Sequence, residues 1–263
     1  MSDRIRKAFK KKEKKLVTFT TGGDPDLDTS LEILNTIISN GIDIIEIGMP
    51  FSDPMADGPI IQESSVRSIA NGTKINDILE TVNKVRKLNN EIPIILMGYY
   101  NSIFNMGVKT FASKCADAGV DGLIIVDLPW PDNKNFSKKC KKANITFVQL
   151  LSPTTSKKRM KKIINDSHDM IYYISMLSTT GGKLKVSPKK ILEKYKSIKK
   201  INRSKNVVIG FGITEKTISS LKKADGLVVG SALCKKISES LQKRQNPVTN
   251  VVSMVSRLKN KIS

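Results

Sequence analysis

The chain has 263 residues, 39% of them hydrophobic, which is enough for a sizeable core and argues against disorder. Its 45 basic residues against 24 acids give a formal net charge of +21, which raises nucleic acid or an anionic membrane as partners. Most of those basic residues are lysines spread over nearly every helical segment. No aromatics interleave with them and no zinc-finger or RNA-stacking motif appears, so the expectation is a solvated basic surface with a general attraction to polyanions.

In chain order, residues 1–14 lack the apolar stretch of a secretory signal, and Asp3 and Glu13 fit a surface helix. Eight short apolar runs follow, at 16–21, 43–48, 93–99, 122–127, 145–152, 170–175, 206–212 and 226–232. Between them lie segments with helical apolar spacing, such as Leu31, Leu34 and Ile38, or Ile75, Ile78, Leu79 and Val82. Runs apolar on both faces suit parallel strands covered by helices. Strict alternation over this length predicts an α/β fold, a single-domain (β/α)8 TIM barrel. Extra helices are expected at 1–14, at 59–71 in the second βα loop, and at 247–261. No run approaches the ~18 apolar residues that span a bilayer. Cys115, Cys140 and Cys234 are far apart without ligand spacing and read as reduced thiols of a cytoplasmic protein.

Barrels of this kind carry their chemistry at the carboxyl ends of the strands. The second run ends in Ile44-Ile45-Glu46-Ile47-Gly48. Side chains alternate along a strand, so Ile44, Glu46 and Gly48 share one face. If that face is the interior, apolar neighbours raise the pKa of Glu46 and fit it to exchange protons near neutral pH. Position alone equally allows a structural Glu paired with a lysine. Asp57, in the Ala-Asp-Gly-Pro turn that follows, offers a second carboxylate in a different environment. The ends of the last two runs, Gly210-Phe211-Gly212 and Gly230-Ser231, occupy the corner where barrels bind phosphate on backbone N–H groups and a helix N-terminus, and Ser231 is a candidate cap for that helix. Residues 178–183, Ser-Thr-Thr-Gly-Gly-Lys, have the size and flexibility of a lid. His168, the only histidine, precedes the sixth run and reads as a surface residue away from the chemistry. Tyr172 and Tyr173 must point to opposite faces, so one enters the barrel. Asp127 ends the fourth run without a clear role.

The stretch 50–62, Pro-Phe-Ser-Asp-Pro-Met-Ala-Asp-Gly-Pro-Ile-Ile-Gln, just after Ile-Ile-Glu-Ile-Gly, resembles the signature of the tryptophan synthase α chain family. Residues 19–25, 96–101, 126–129, 179–182, 210–213 and 230–235 match its further motifs in order, so the resemblance runs end to end. It implies cleavage of indole-3-glycerol phosphate to indole and glyceraldehyde 3-phosphate, with no metal or organic cofactor in this chain. Glu46 and Asp57 match the family's catalytic acids. Phe19, Ile61, Met97, Tyr172, Thr180 and Phe211 match residues around the indole and glycerol portions. Gly181, Gly212, Gly230 and Ser231 match the phosphate site. Thr180 would position Asp57 when the lid closes.

The resemblance also implies a β chain carrying pyridoxal phosphate, an αββα assembly, and contact with that partner through Pro50, Asp53 and Asn101. Ser178 and Lys183 depart from the glycine and arginine common in the family's lid, which bears on the coupling of lid closure to the partner. Three other readings exist. A stand-alone indole-releasing lyase would need no partner. A related indole-glycerol-phosphate synthase would require a lysine acid at a strand end, and none is there. A polyanion-binding barrel would show tight, steeply salt-dependent DNA binding.

Overall fold

The computed structural model describes residues 2–11, 13–175, 186–210 and 212–262. Its strands are β1 (Lys15–Thr21), β2 (Ile44–Gly48), β3 (Ile94–Gly98), β4 (Gly122–Ile125), β5 (Thr146–Phe147), β6 (Gln149–Leu151), β7 (Met170–Ile174), β8 (Asn206–Gly210) and β9 (Gly226–Val229). All pairings are parallel, in the order β5-β4-β3-β2-β1-β9-β8-β7-β6. The two ends of that order are one chain segment, because only Val148 separates β5 from β6. The Val148 N–H still donates to the Leu123 carbonyl at 2.9 Å. The sheet therefore closes on itself, and the run expected at 145–152 is a strand in two pieces, one facing each neighbour.

The helices are α1 (Asp3–Lys10), α2 (Leu27–Ser39), α3 (Pro59–Ala70), α4 (Ile75–Leu88), α5 (Tyr100–Met106), α6 (Val108–Ala118), α7 (Lys134–Lys142), α8 (Lys157–Asp166), α9 (Pro188–Ile201), α10 (Ile218–Leu221), α11 (Ser231–Gln242) and α12 (Pro247–Asn260). The three extra helices expected from the sequence are α1, α3 and α12. One further break was not expected: Gly107, at φ 87°, separates α5 from α6. An L-residue rarely adopts that conformation, so glycine allows the chain to restart its helix there. Helices α7 and α8 turn Lys138, Lys139, Lys141, Lys142, Lys157, Lys158, Lys161 and Lys162 outward as a solvated basic surface.

Strand alternation builds two cores. Leu16, Ile45, Ile47, Leu96, Leu123, Tyr173 and Ile209 pack outward against the helices. Val17, Ile44, Ile95, Ile124, Val148, Met170, Tyr172, Val208 and Val228 fill the barrel, and Ile5 from α1 joins them. Since Ile44 faces inward, Glu46 two residues on shares that face nearer the carboxyl end. No described helix is long and apolar enough to cross a membrane.

His168 corrects the sequence reading. It lies before β7, as expected, but is only 7% exposed. Its Nδ1 accepts from the Phe147 N–H at 2.9 Å, and its Nε2 lies 3.3 Å from the Ser137 hydroxyl. Burial depresses its pKa to about 4, so the ring is neutral and satisfies a strand N–H that β5 leaves unpaired. Asp127 also has a structural role, accepting from the Tyr100 N–H at 2.8 Å at the start of α5.

Candidate active site

Glu46 is fully buried near the carboxyl end of β2. Neither carboxylate oxygen has a hydrogen-bond partner among the described residues, and no described cation pairs with the group. Among the described residues, the structural alternative of a Glu–Lys pair is not found. Desolvation pushes its pKa up from 4.5 to about 8, which keeps the carboxyl protonated at neutral pH.

Asp57 sits in the loop between β2 and α3 and is 7% exposed. Its backbone N–H donates to the Pro54 carbonyl at 2.9 Å, its own carbonyl accepts from Gln62 Nε2 at 2.9 Å, and its Oδ2 accepts from the Tyr99 hydroxyl at 3.0 Å. The two acids thus occupy different surroundings, one apolar and unpaired, the other in a polar turn. That asymmetry is the usual basis for giving two carboxyls separate acid–base roles.

Phe19, Ile61 and Met97 line both the cavity beside Glu46 and the one beside Asp57, so they stand between the acids. Tyr172 joins the Glu46 side, and its hydroxyl lies in the field of both carboxyls. Burial first, then those two charges, holds the phenol well above its ordinary pKa and keeps it protonated. The ring fits because position 210 is glycine: a β-carbon there would overlap the Tyr172 hydroxyl. Gly48 does the same for Phe19, whose ring tip would lie 2.6 Å from a β-carbon at 48. Gly210→Ala is expected to displace the Tyr172 ring and lower kcat/KM about 10- to 100-fold through misplacement alone. Wild-type kinetics in a folded variant would refute the importance of that ring position.

Gly212, Gly230 and Ser231 line the same cavity as Glu46. Gly212 has φ 68°, and Gly230 precedes α11 as its cap without a side-chain hydrogen bond. Ser231 is the first helical residue and so does not cap the helix as anticipated. The first turn of α11 opens at this corner with backbone N–H groups that lack helical partners, a favourable place for an anion. Thr180, Gly181 and Phe211, and the lid departures Ser178 and Lys183, lie outside the described residues. Pro50 is half-buried, and Asp53 and Asn101 are exposed near the mouth. Sequence reading missed their apolar neighbours: Met55 is 77% and Phe104 65% exposed, both on segments that follow barrel strands. An isolated Met or Phe in a loop or short helix gives no periodic signal of exposure. No group of three or more described His, Cys, Asp or Glu residues could hold a metal ion.

A closed parallel barrel with a buried protonated carboxyl and a second acid at its carboxyl-terminal mouth defines a (β/α)8-barrel enzyme. A family model described as tryptophan synthase alpha chain matches residues 5–263. The chain is 61% identical over 263 residues to the tryptophan synthase alpha chain of Pelagibacter ubique, covering 98% of this chain and 99% of that one. It is 39% identical over 216 residues to that of Aquifex aeolicus, 82% of each chain. The solved structure of tryptophan synthase subunit alpha from Legionella pneumophila superposes with a TM-score of 0.91 at 32% identity, covering 100% of this chain and 99% of that one. The chain belongs to the tryptophan synthase alpha chain family.

Proposed function

We propose that this protein, as one catalytic domain, cleaves indole-3-glycerol phosphate to indole and glyceraldehyde 3-phosphate. The observation that carries the assignment of roles is the buried, unpaired Glu46 lining one cavity, with Asp57 lining a second that shares Phe19, Ile61 and Met97 with it. The bond to break joins indole C3 to the glycerol chain, and indole leaves only after C3 gains a proton. Glu46, protonated at neutral pH, gives that proton, and positive charge develops at the ring nitrogen. Asp57 accepts a hydrogen bond from the ring N–H and stabilises the charge. The Glu46 carboxylate then takes the proton of the adjacent glycerol hydroxyl as the C–C bond breaks. The aldehyde departs, indole retains the new hydrogen at C3, and Glu46 is protonated again. Phe19, Ile61, Met97 and Tyr172, together with Thr180 and Phe211, would enclose the indole and glycerol portions. Gly212, Gly230 and Ser231, together with Gly181, would receive the phosphate.

A general acid must be protonated to act, so kcat/KM should fall as pH rises through about 8, the value to which Glu46 is raised. On the acid side it should fall as Asp57 takes up a proton. This reading gives the chain no cofactor of its own, and no lysine is among the described residues lining the mouth around Glu46. It gives the pyridoxal phosphate to a β-chain partner in an αββα assembly in the cytoplasm. Exposed Met55 and Phe104 beside Pro50, Asp53 and Asn101 support a partner-facing mouth. The test is indole release from indole-3-glycerol phosphate with and without a β chain. Turnover alone, rising on addition of the β chain, is expected. Unchanged rates in the mixture would favour a stand-alone lyase, and no indole in either sample would overturn the assignment.

A further inference from the structure

Tyr99 lies between β3 and α5 and is 3% exposed. Its hydroxyl makes two hydrogen bonds at 3.0 Å, donating to Asp57 Oδ2 and accepting from the Ala56 N–H. Its ring stacks on Phe51 with centroids 5.0 Å apart and planes 23° from parallel. One side chain at the end of a barrel strand therefore grips the Asp57 loop at residues 51, 56 and 57. We propose that Tyr99 is the positioning residue for Asp57, fixing the plane of its carboxylate toward the substrate N–H and favouring its ionised form. This rests on the role given to Asp57 above.

The physical case has three parts. Residues 51–57 form neither helix nor strand, and a displacement of about 1 Å at a reacting group can cost on the order of 100-fold in rate. A donor fixed to the strand end restrains the loop where substrate is received. A hydrogen bond donated to a carboxylate stabilises its charged form, and a carboxylate has lone pairs for about four such bonds, so Tyr99 orients the group without exhausting it. The phenol is a dependable donor. Burial first, then the Asp57 charge, holds its pKa well above the ordinary tyrosine value, so it stays protonated throughout the working pH range. This contact exists among the described residues and does not depend on the Thr180 contact expected of a closing lid.

The test compares Tyr99→Phe, Asp57→Asn and the double variant in the indole-release assay across pH. Tyr99→Phe should lower kcat about 10- to 100-fold with KM nearly unchanged, because an oriented carboxylate matters most in the transition state. The acid limb of its kcat/KM profile should move up by about one pH unit. A ligand-free loss of packing would not shift that limb. Incorporating 3,5-difluorotyrosine at 99 keeps the ring and makes the phenol a stronger donor, so it should move the limb in the opposite direction, and this arm does not depend on how well the Phe variant folds. The double variant should be no worse than Asp57→Asn, since Tyr99 acts through Asp57. Wild-type kcat and acid limb in Tyr99→Phe, no movement on fluorination, or losses that multiply in the double variant would overturn the proposal. Full activity in Asp57→Asn would instead remove the role of Asp57 itself, a separate failure visible in its own arm.

Discussion

Glu46→Gln should lose nearly all indole release, on the order of 1,000-fold or more in kcat, while unfolding less readily than the parent at neutral and alkaline pH. The activity loss follows because glutamine keeps the shape but can neither give nor take the proton. The stability gain follows from the same burial. Burial raises the Glu46 carboxyl to about 8 in the folded protein, against an ordinary value of 4.5. The folded state thus binds a proton that the unfolded chain releases. Its contribution is fully present below pH 4.5 and is lost progressively as pH rises through about 8. Each unit of difference is worth about 1.4 kcal/mol, so the group costs a few kcal/mol of stability once the pH exceeds 8. Glutamine carries no such term. Urea unfolding of both proteins at pH 5, 7 and 9 checks this: the gap should widen with pH in favour of the variant. Parallel pH curves would mean that Glu46 is not desolvated in solution. An active variant would remove it from the chemistry. Under the proposed mechanism, catalysis and stability make opposite demands on this side chain, as expected where a site keeps a destabilising group for its function.

What the sequence makes legible here is whatever depends on local period. Alternation placed Ile44 and Glu46 on one face and put Tyr172 and Tyr173 on opposite ones, and both assignments match the two cores. The β–α rhythm gave the barrel and its three extra helices. The features that escaped depend on partners distant in the chain. Nothing around His168 reveals that the Phe147 N–H needs an acceptor. The split at Val148 is hidden within a continuous apolar run, because closing a barrel changes the neighbour a strand pairs with and not its hydrophobicity. Tyr99 reads as one of two adjacent tyrosines until the fold brings Asp57 to its hydroxyl. Likewise Asp24, an ordinary turn residue in sequence, is buried under a two-pronged contact from Arg67 at 2.7 and 2.9 Å that ties the first βα loop to α3. The proposed site is legible by motif. The groups that hold it in place had to be read from the three-dimensional structure.

The largest stability effect should come from the opposite end of the barrel, at Asp121. This residue is 2% exposed just before β4. Its carboxylate accepts from the Ser2 hydroxyl at 2.5 Å, from Arg4 at 3.2 Å, from the Ile94 N–H at 2.9 Å, and from Arg86 Nη2. It thereby joins the start of α1, the end of α4 and the beginning of β3 around one buried charge. The Arg86 side chain is 9% exposed, and burial lowers its pKa to about 10 despite the attraction of Asp121. Its other contacts are neutral carbonyls: Gly119 at 2.9 Å, Ile92 at 2.6 Å and Asn89 at 3.3 Å. Asp121→Ala would strand that guanidinium without a full counter-charge and leave the Ile94 N–H unpaired. Breaking a buried pair in this way costs about 3–5 kcal/mol. For a chain of this size that corresponds to a fall in Tm on the order of 10 °C. Arg86→Met in the same background removes the stranded charge, so the double variant should recover part of the loss. Thermal unfolding of the two single variants and the double decides the matter. Strictly additive losses, or a cost below about 1 kcal/mol for Asp121→Ala, would show that the charge cluster is not a stabilising unit. Because the cluster sits at the amino ends of the strands, kcat/KM of the folded Asp121→Ala variant at low temperature should match the parent, separating the end of the barrel that holds the fold from the end that carries the acids.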